Sequence, residues 1–148
     1  MIVPMKLLSP QATLPCYATA GAAAMDLSAC LPDGQVTLAP GERKLVPTGV
    51  AMSIPPLHVG LLFARSGLAA KKGLTLANAV GVIDSDYRGE IKVAMIHLGQ
   101  EPVTIRHGDR IAQMSILPIV QAVPTQVGEL DDTLRSAGGF GSTGVGGL

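Results

Sequence analysis

A chain of 148 residues, 47% of them apolar, is the size of one domain and carries enough apolar material for a sizeable core. Its formal net charge is zero and no Lys/Arg cluster is interleaved with aromatics, which make up only 3% of the residues, so a polynucleotide-binding footprint is excluded and any nucleotide ligand is expected to be small. Every apolar stretch is broken by Gly, Pro or a charge well before about 18 residues, which excludes a membrane-spanning helix.

In chain order, Met1 to Lys6 offers no basic leader followed by a long apolar run, so no signal peptide is expected. Strand-like runs then follow at short intervals: Met5 to Leu8, Gln35 to Leu38, Lys44 to Pro47, Val50 to Ile54, His58 to Ala64, Ile91 to Leu98, Val103 to Ile105 and Arg110 to Ile116. Turn chemistry separates them, as in Pro32-Asp33-Gly34, Pro40-Gly41-Glu42, Ile54-Pro55-Pro56 and His107-Gly108-Asp109. The one helix candidate is Ser66 to Lys72, with Ser66 as its cap and Gly73 closing it. Many short strands without sustained 3.6-residue periodicity predict an all-β domain, a jelly-roll-like β-sandwich or barrel. After Pro124 the composition changes, and a glycine-rich tail that cannot pack a core of its own is expected. The division predicted is a β domain over 1–133 and an arm over 134–148.

The two cysteines, Cys16 and Cys30, form no C-x-x-C pair and have no His at ligand spacing, so neither a metal knuckle nor a disulfide is expected, and a cytoplasmic setting is the simplest assumption. The mean hydropathy of +0.40 is high for a soluble chain, and the excess is expected to be buried between subunits.

Five segments carry residue types suited to chemistry. Ala64-Arg65-Ser66-Gly67-Leu68 joins an apolar strand to the helix candidate and converges a guanidinium, a hydroxyl and helix-start N–H groups; it suits a phosphate, though taken alone it reads first as an ordinary strand-to-helix turn with a solvated Arg. Asn78 to Glu90 places Asp84, Asp86 and Tyr87 in a turn between apolar strands. It fails as a calcium loop, because Arg88 and Met95 stand where ligands are needed. A carboxylate emerging from Val82-Ile83 is expected to be partly desolvated and to suit a general base; a charged hairpin tip is the plain alternative. Ala20 to Leu27 is a small-residue stretch ending in Asp26, and Gly108 to Met114 opens a strand with Arg110 and Gln113 on its wet face. Finally, Gly138 to Gly144 lacks the Lys of a phosphate-binding Walker loop, and reads either as a linker or as a segment whose Phe140 and neighbouring hydroxyls fold over a ligand.

Taken in order, these segments resemble the five motifs of the trimeric dUTPase family, from Ala20 to Gly144, and most specifically in Gly-Val-Ile-Asp-Ser-Asp-Tyr-Arg-Gly and in Gly-Gly-Phe-Gly-Ser-Thr-Gly. The resemblance implies hydrolysis of dUTP to dUMP and pyrophosphate, limiting uracil incorporation into DNA and supplying dUMP for thymidylate synthesis. It implies a homotrimer whose sites are shared between subunits. Asp84 would be the base that activates the attacking water, and Tyr87 the platform under the deoxyribose. Asn78, with the main chain of Val82, Ile83 and Lys92, would form the uracil pocket. Arg65, Ser66 and Gly67 would hold the triphosphate, Gln113 would sit near the α-phosphate, and Asp26 would order an Arg or metal-bound water. Arg135, Ser142 and Thr143 would reach the γ-phosphate while Phe140 stacks over uracil. Mg²⁺ would be held through substrate phosphates and waters, with no direct protein ligand.

The sequence departs from the family pattern at Ala22 and Ala24, where Ser and Gly are common, and at Ser136, where Gly usually follows the Arg. A dCTP deaminase of the same fold would need a catalytic Glu in the pocket and an Arg-Ser-Ser context; the chain has Asp84 and Arg65-Ser66-Gly67. A non-catalytic regulator that keeps the fold is the rival of a different class, and pyrophosphate release from dUTP separates the two.

Overall fold

The computed structural model describes residues 1–139 and Ser142. Its strands are β1 (Met5–Leu7), β2 (Cys16–Tyr17), β3 (Met25–Ser28), β4 (Gln35–Leu38), β5 (Arg43–Pro47), β6 (Val50–Met52), β7 (His58–Ala64), β8 (Leu74–Leu76), β9 (Gly81–Ile83), β10 (Lys92–His97), β11 (Val103–Arg106) and β12 (Arg110–Pro118), with one helix, α1 (Ser66–Lys72). All the pairings are antiparallel, and they build a five-stranded sheet in the order β2-β3-β12-β7-β9, a three-stranded sheet β5-β10-β8, and two ribbons, β1-β6 and β11-β4. This is the jelly-roll-like all-β fold expected.

Alternation along the strands decides what lies inside. In β3 Met25 and Leu27 are buried and Asp26 and Ser28 are not. In β12 Ala112 and Met114 point inward, and in β7 so does Leu62. Leu27, Leu62, Ala112 and Met114 join Leu38, Val46, Ile54, Leu74, Ile91, Val93, Met95 and Ile111 in one core, where each Val, Leu, Ile or Met contributes about 1.5–3 kcal/mol through its removal from water. The buried polar groups are satisfied: Thr48 Oγ1 donates to Ile91 O at 2.6 Å, and the His97 ring spans Glu101 O at 2.7 Å and Gly99 N at 3.4 Å.

Three strands were not anticipated. β2 has two residues, β3 emerges from an alanine run that hides its alternation, and β8 is three residues placed directly after the helix. The helix cap also differs. Arg65, not Ser66, is the residue before the first turn and makes no side-chain cap bond, because a guanidinium carries only donors and the helix-start N–H groups need an acceptor; it donates to Asp26 instead. Gly73 closes the helix as expected, in the left-handed conformation at φ 63° that glycine adopts without strain, returning its N–H to Ala69 O and Leu68 O. Both cysteines are free, Cys16 exposed and Cys30 buried. No helix among the described residues is long and apolar enough to cross a membrane.

Candidate active site

Two clefts gather most of the residues singled out above. The first lies where β7 runs into α1, encloses about 290 Å³, and is lined by Ala18, Ala22, Ala24, Asp26, Arg65, Ser66, Gly67, Leu68, Arg110 and Gln113. Its centre is Asp26, whose side chain is only 12% exposed. Arg65 Nε donates to Asp26 Oδ1 at 3.0 Å and Arg110 Nη1 to Asp26 Oδ2 at 2.9 Å, so one carboxylate holds two guanidiniums in place. Two positive charges against one negative leave the cleft net positive, with the Ser66 hydroxyl beside it. Gln113 Nε2 donates to Ala64 O at 3.0 Å, which keeps its second amide N–H available to a ligand. An oxyanion is what this donor set accepts, and α1, at seven residues, leaves the attraction to the guanidiniums.

Register explains the assembly of this cleft. Cys16, Asp26, Gln113 and Phe63 stand directly opposite one another across four strands and so share one face of the sheet, the face turned away from the core. Arg65 has the parity of Phe63 and emerges on the same side.

The second cleft, about 460 Å³, is lined by Leu45, Val82, Ile83, Asp84, Tyr87, Glu90 and Lys92. A turn closed by Tyr87 N donating to Asp84 O at 3.2 Å presents both side chains. The Tyr87 hydroxyl donates to Glu90 O at 2.9 Å, and Arg88 Nη1 donates to Ser85 O at 2.7 Å, which pins the turn from its other side. A Cβ at position 89 would meet the Tyr87 ring and hydroxyl, so glycine there lets the tyrosine lie back over the turn without being pushed aside. Glu90 and Lys92 neutralise each other at 3.4 Å, and Glu90 Oε1 also accepts from Gly49 N at 2.8 Å, so this Glu is a structural tie. Leu45 and Glu90 were not foreseen as lining residues; in the fold Leu45 is 62% exposed in mid-strand, which its sequence neighbours do not announce. Arg110 was foreseen only as a wet-face residue, and nothing in the sequence pairs it with Asp26.

Asp84 departs from expectation in one respect. It is exposed in the single chain, not partly desolvated, because alternation past Val82 turns it to the outward face of the sheet. Among the described residues its carboxylate enters no hydrogen bond or ion pair. Asn78 lies in the exposed turn before β9, outside both linings. Residues 117–137 are exposed without interruption, so Arg135 stands clear of both clefts, its Nε donating to Gly138 O at 2.9 Å. Ser136, where the family pattern has Gly, takes a left-handed φ of 43°. Ser142 donates its backbone N–H to Gly139 O, while Phe140 and Thr143 lie outside the described residues.

The two clefts do not meet within one chain. β9 pairs with β7 through Gly60↔Ile83 and Leu61↔Val82, which sets Asp84 level with Val59, six residues before Arg65. Six residues of strand span about 20 Å.

A sequence model described as dUTPase matches residues 10–144. The chain belongs to the dUTPase family. Among its relatives, the deoxyuridine 5'-triphosphate nucleotidohydrolase of Methylocella silvestris is 55% identical over 133 residues, covering 89% of this chain and 83% of the relative. That of an Anaeromyxobacter species is 56% identical over 135 residues, covering 91% and 90%. A dUTPase of Staphylococcus bacteriophage 80alpha, solved with dUpNHpp, superposes with a TM-score of 0.86 at 30% identity, covering 97% of this chain and 99% of that one. A dUTPase variant from phage phi11 of S. aureus, described with a structural Mg(II) ion, gives 0.81 at 26% identity over 89% and 100% of the two chains.

Proposed function

We propose that this dUTPase hydrolyses dUTP to dUMP and pyrophosphate at sites assembled between chains of a cyclic trimer. The observation that carries the shared site is the separation of about 20 Å between the Asp84 and Arg65 ends of the outward face. A general base serves only a proton within hydrogen-bond reach or one water away. Asp84 therefore acts on a phosphate held by the Arg65, Ser66 and Gln113 cleft of a neighbouring chain.

In that arrangement Asp84 takes the proton of the water that attacks the α-phosphorus, and pyrophosphate leaves. Arg65, with Ser66 and the backbone of Gly67, holds the triphosphate, and Gln113 donates to the α-phosphate. Asp26, clamped between Arg65 and Arg110, positions the Arg65 guanidinium and offsets part of its charge. Tyr87, with its hydroxyl tethered to Glu90 O, turns its ring to the deoxyribose and crowds the 2′ position. The outward edge of β9 at Val82 and Ile83, with Asn78 shaping the turn before it and Lys92 across the cleft, receives uracil through main-chain donors and acceptors. Such a pocket rejects cytosine because the inverted hydrogen-bond pattern leaves buried groups unpaired. Residues 134–148 act as an arm over the site, Arg135, Ser142 and Thr143 reaching the γ-phosphate and Phe140 stacking on uracil.

Among the described residues no group of three or more His, Cys, Asp or Glu could hold a metal, and both oxygens of Asp26 are engaged by guanidiniums. Mg²⁺ would enter with the nucleotide, held by phosphate oxygens and water, and would supply positive charge against the phosphates that Arg65, Ser66 and Gln113 bind. The cytoplasm is the proposed setting. Pyrophosphate release from purified protein supplied with dUTP and Mg²⁺ tests the reading: turnover of dUTP with none of dCTP is expected, and release from dCTP or none from dUTP overturns it.

A further inference from the structure

Arg65, Leu68 and Arg110 line a second, smaller cleft besides the one that holds Ser66 and Gln113, and so form the wall common to both. The smaller cleft encloses about 210 Å³, below the roughly 300–1,000 Å³ of pockets that take drug-sized organic molecules. Its floor is apolar, formed by Leu74, Ile105 and Ile111, each no more than 2% exposed. Over that floor stand three cations, Arg65, Arg110 and Lys72, against one carboxylate, Asp109. Asp109 is committed to the turn between β11 and β12, its Oδ2 accepting from Arg106 N at 2.8 Å. Asp26, which serves both guanidiniums, lines only the other cleft. Like charges gathered above buried apolar side chains repel more strongly than in open water, and with two carboxylates against three cations one positive charge stays unbalanced.

Donors are in surplus as well. A guanidinium offers more N–H groups than Asp26 accepts: Arg65 uses one on Asp26 Oδ1 and one on Arg110 O, and Arg110 uses one on Asp26 Oδ2. Lys72 has no ion-pair partner among the described residues. It shares the last turn of α1 with Lys71, where either cation suits the helix C-terminus, yet only Lys72 lines this cleft. We propose that the cleft is a second oxyanion subsite, which takes a small phosphate-class ion and has Lys72 as its distinguishing residue. The occupant is the pyrophosphate released beside Arg65 or inorganic phosphate from solution, two sources of the same chemistry. Because Arg65 and Arg110 wall both clefts, an anion in the smaller one takes up donors and positive charge that dUTP uses in the larger. Occupancy therefore opposes dUTP binding, and in that part the inference rests on the function proposed above.

The test follows dUMP formation from dUTP by the full chain, inhibited by inorganic pyrophosphate and, separately, by inorganic phosphate. Wild type is compared with Lys72→Met and Lys71→Met. Removing a charged donor from a shielded site weakens anion binding about tenfold or more, so the inhibition constant of the occupant should rise at least that far in Lys72→Met. Lys71→Met removes the same net charge one residue away but outside the cleft, and its inhibition constants should match wild type. Lys72→Arg should restore wild-type inhibition. A rise for pyrophosphate alone assigns the released product as occupant, and a rise for phosphate alone assigns the free ion. Inhibition by both ions unchanged in Lys72→Met, or raised equally in both lysine variants, overturns the subsite. Both lysines are exposed, so folded proteins are expected by circular dichroism; should Lys72→Met fail to fold, Lys72→Gln carries the same comparison. Wild type that forms no dUMP from dUTP overturns instead the function proposed above. The subsite is then read by calorimetric titration of the two ions onto the free chain, with the same contrast expected between the lysine variants.

Discussion

Replacing Asp26 by Asn separates positioning from chemistry. The carboxylate is mostly buried and receives Arg65 Nε at 3.0 Å and Arg110 Nη1 at 2.9 Å. A hydrogen bond to a charged group contributes roughly 1.5–3 kcal/mol when well shielded. Arg110 is half exposed and its share falls toward the surface-pair range of about 0–1 kcal/mol. The Asn oxygen retains one of the two bonds and its NH₂ opposes the other guanidinium, so the expected loss is about 1–2 kcal/mol. For a domain of this size that lowers Tm by roughly 2–8 °C. The cleft also becomes more positive while Arg65 loses its anchor, so KM for dUTP should change and kcat/KM should fall about tenfold or more, the scale of a misplaced transition-state contact. Differential scanning calorimetry and steady-state pyrophosphate release measure the two effects. If Asp26→Asn melts with wild type and shows wild-type kcat/KM, the Asp26 clamp positions nothing, and the role given to it is wrong.

Asp84→Asn should behave in the opposite way. Its carboxylate has no partner among the described residues, so stability should stay within about 0.5 kcal/mol of wild type, while turnover falls about 10²-fold or more with dUTP binding retained by calorimetric titration; turnover within a few-fold of wild type would remove Asp84 from the role. Tyr87→Ala should narrow the preference for dUTP over UTP, read as the ratio of kcat/KM values, and an unchanged ratio would show that another group excludes the 2′-hydroxyl. Glu42 is held below its ordinary pKa of 4.5, chiefly by the Ala39 N–H it accepts at 2.8 Å and then by Lys44. A depressed carboxyl stabilises fully above its unfolded value and loses that contribution as pH falls through the folded one. The Tm gap between wild type and Glu42→Gln should therefore be constant above about pH 5 and close on acidification below it; a gap that widens toward acid would contradict the assignment.

Much of the fold was legible because its longer strands announce themselves. β7 and β12 are apolar runs bounded by Pro55-Pro56 and by Gly108-Asp109, and the helix ends at a Gly that had to be left-handed. β3 was not legible, since four residues of alternation follow a run of alanines that alternates with nothing. The chemistry of each half-site could be read from residue type, but its neighbours could not. Leu45 reaches the Asp84 cleft through the β5-β10 pairing, from a segment far away in sequence. Arg110 shares Asp26 with Arg65 only because β12 lies between β3 and β7. The distance between Asp84 and Arg65 depends on a register, Gly60 opposite Ile83, that no local pattern encodes. Ser136 takes a left-handed φ of 43°, a conformation glycine adopts without strain and one that no local sequence pattern announced.

The shared site is tested most directly by mixing two inactive variants, Asp84→Asn and Arg65→Gln, the second keeping donors for Asp26 while removing the charge. Each homotrimer should be nearly inactive, one lacking its base and the other its phosphate cation. After exchange of subunits in an equal mixture, followed by native mass spectrometry, about a quarter of sites draw an intact Asp84 from one chain and an intact Arg65 from the next under cyclic symmetry. Recovery of about a quarter of wild-type turnover is the predicted result. A mixture that exchanges fully and remains as inactive as its parents would place Asp84 and Arg65 of a single chain in the same site, contrary to the sheet register.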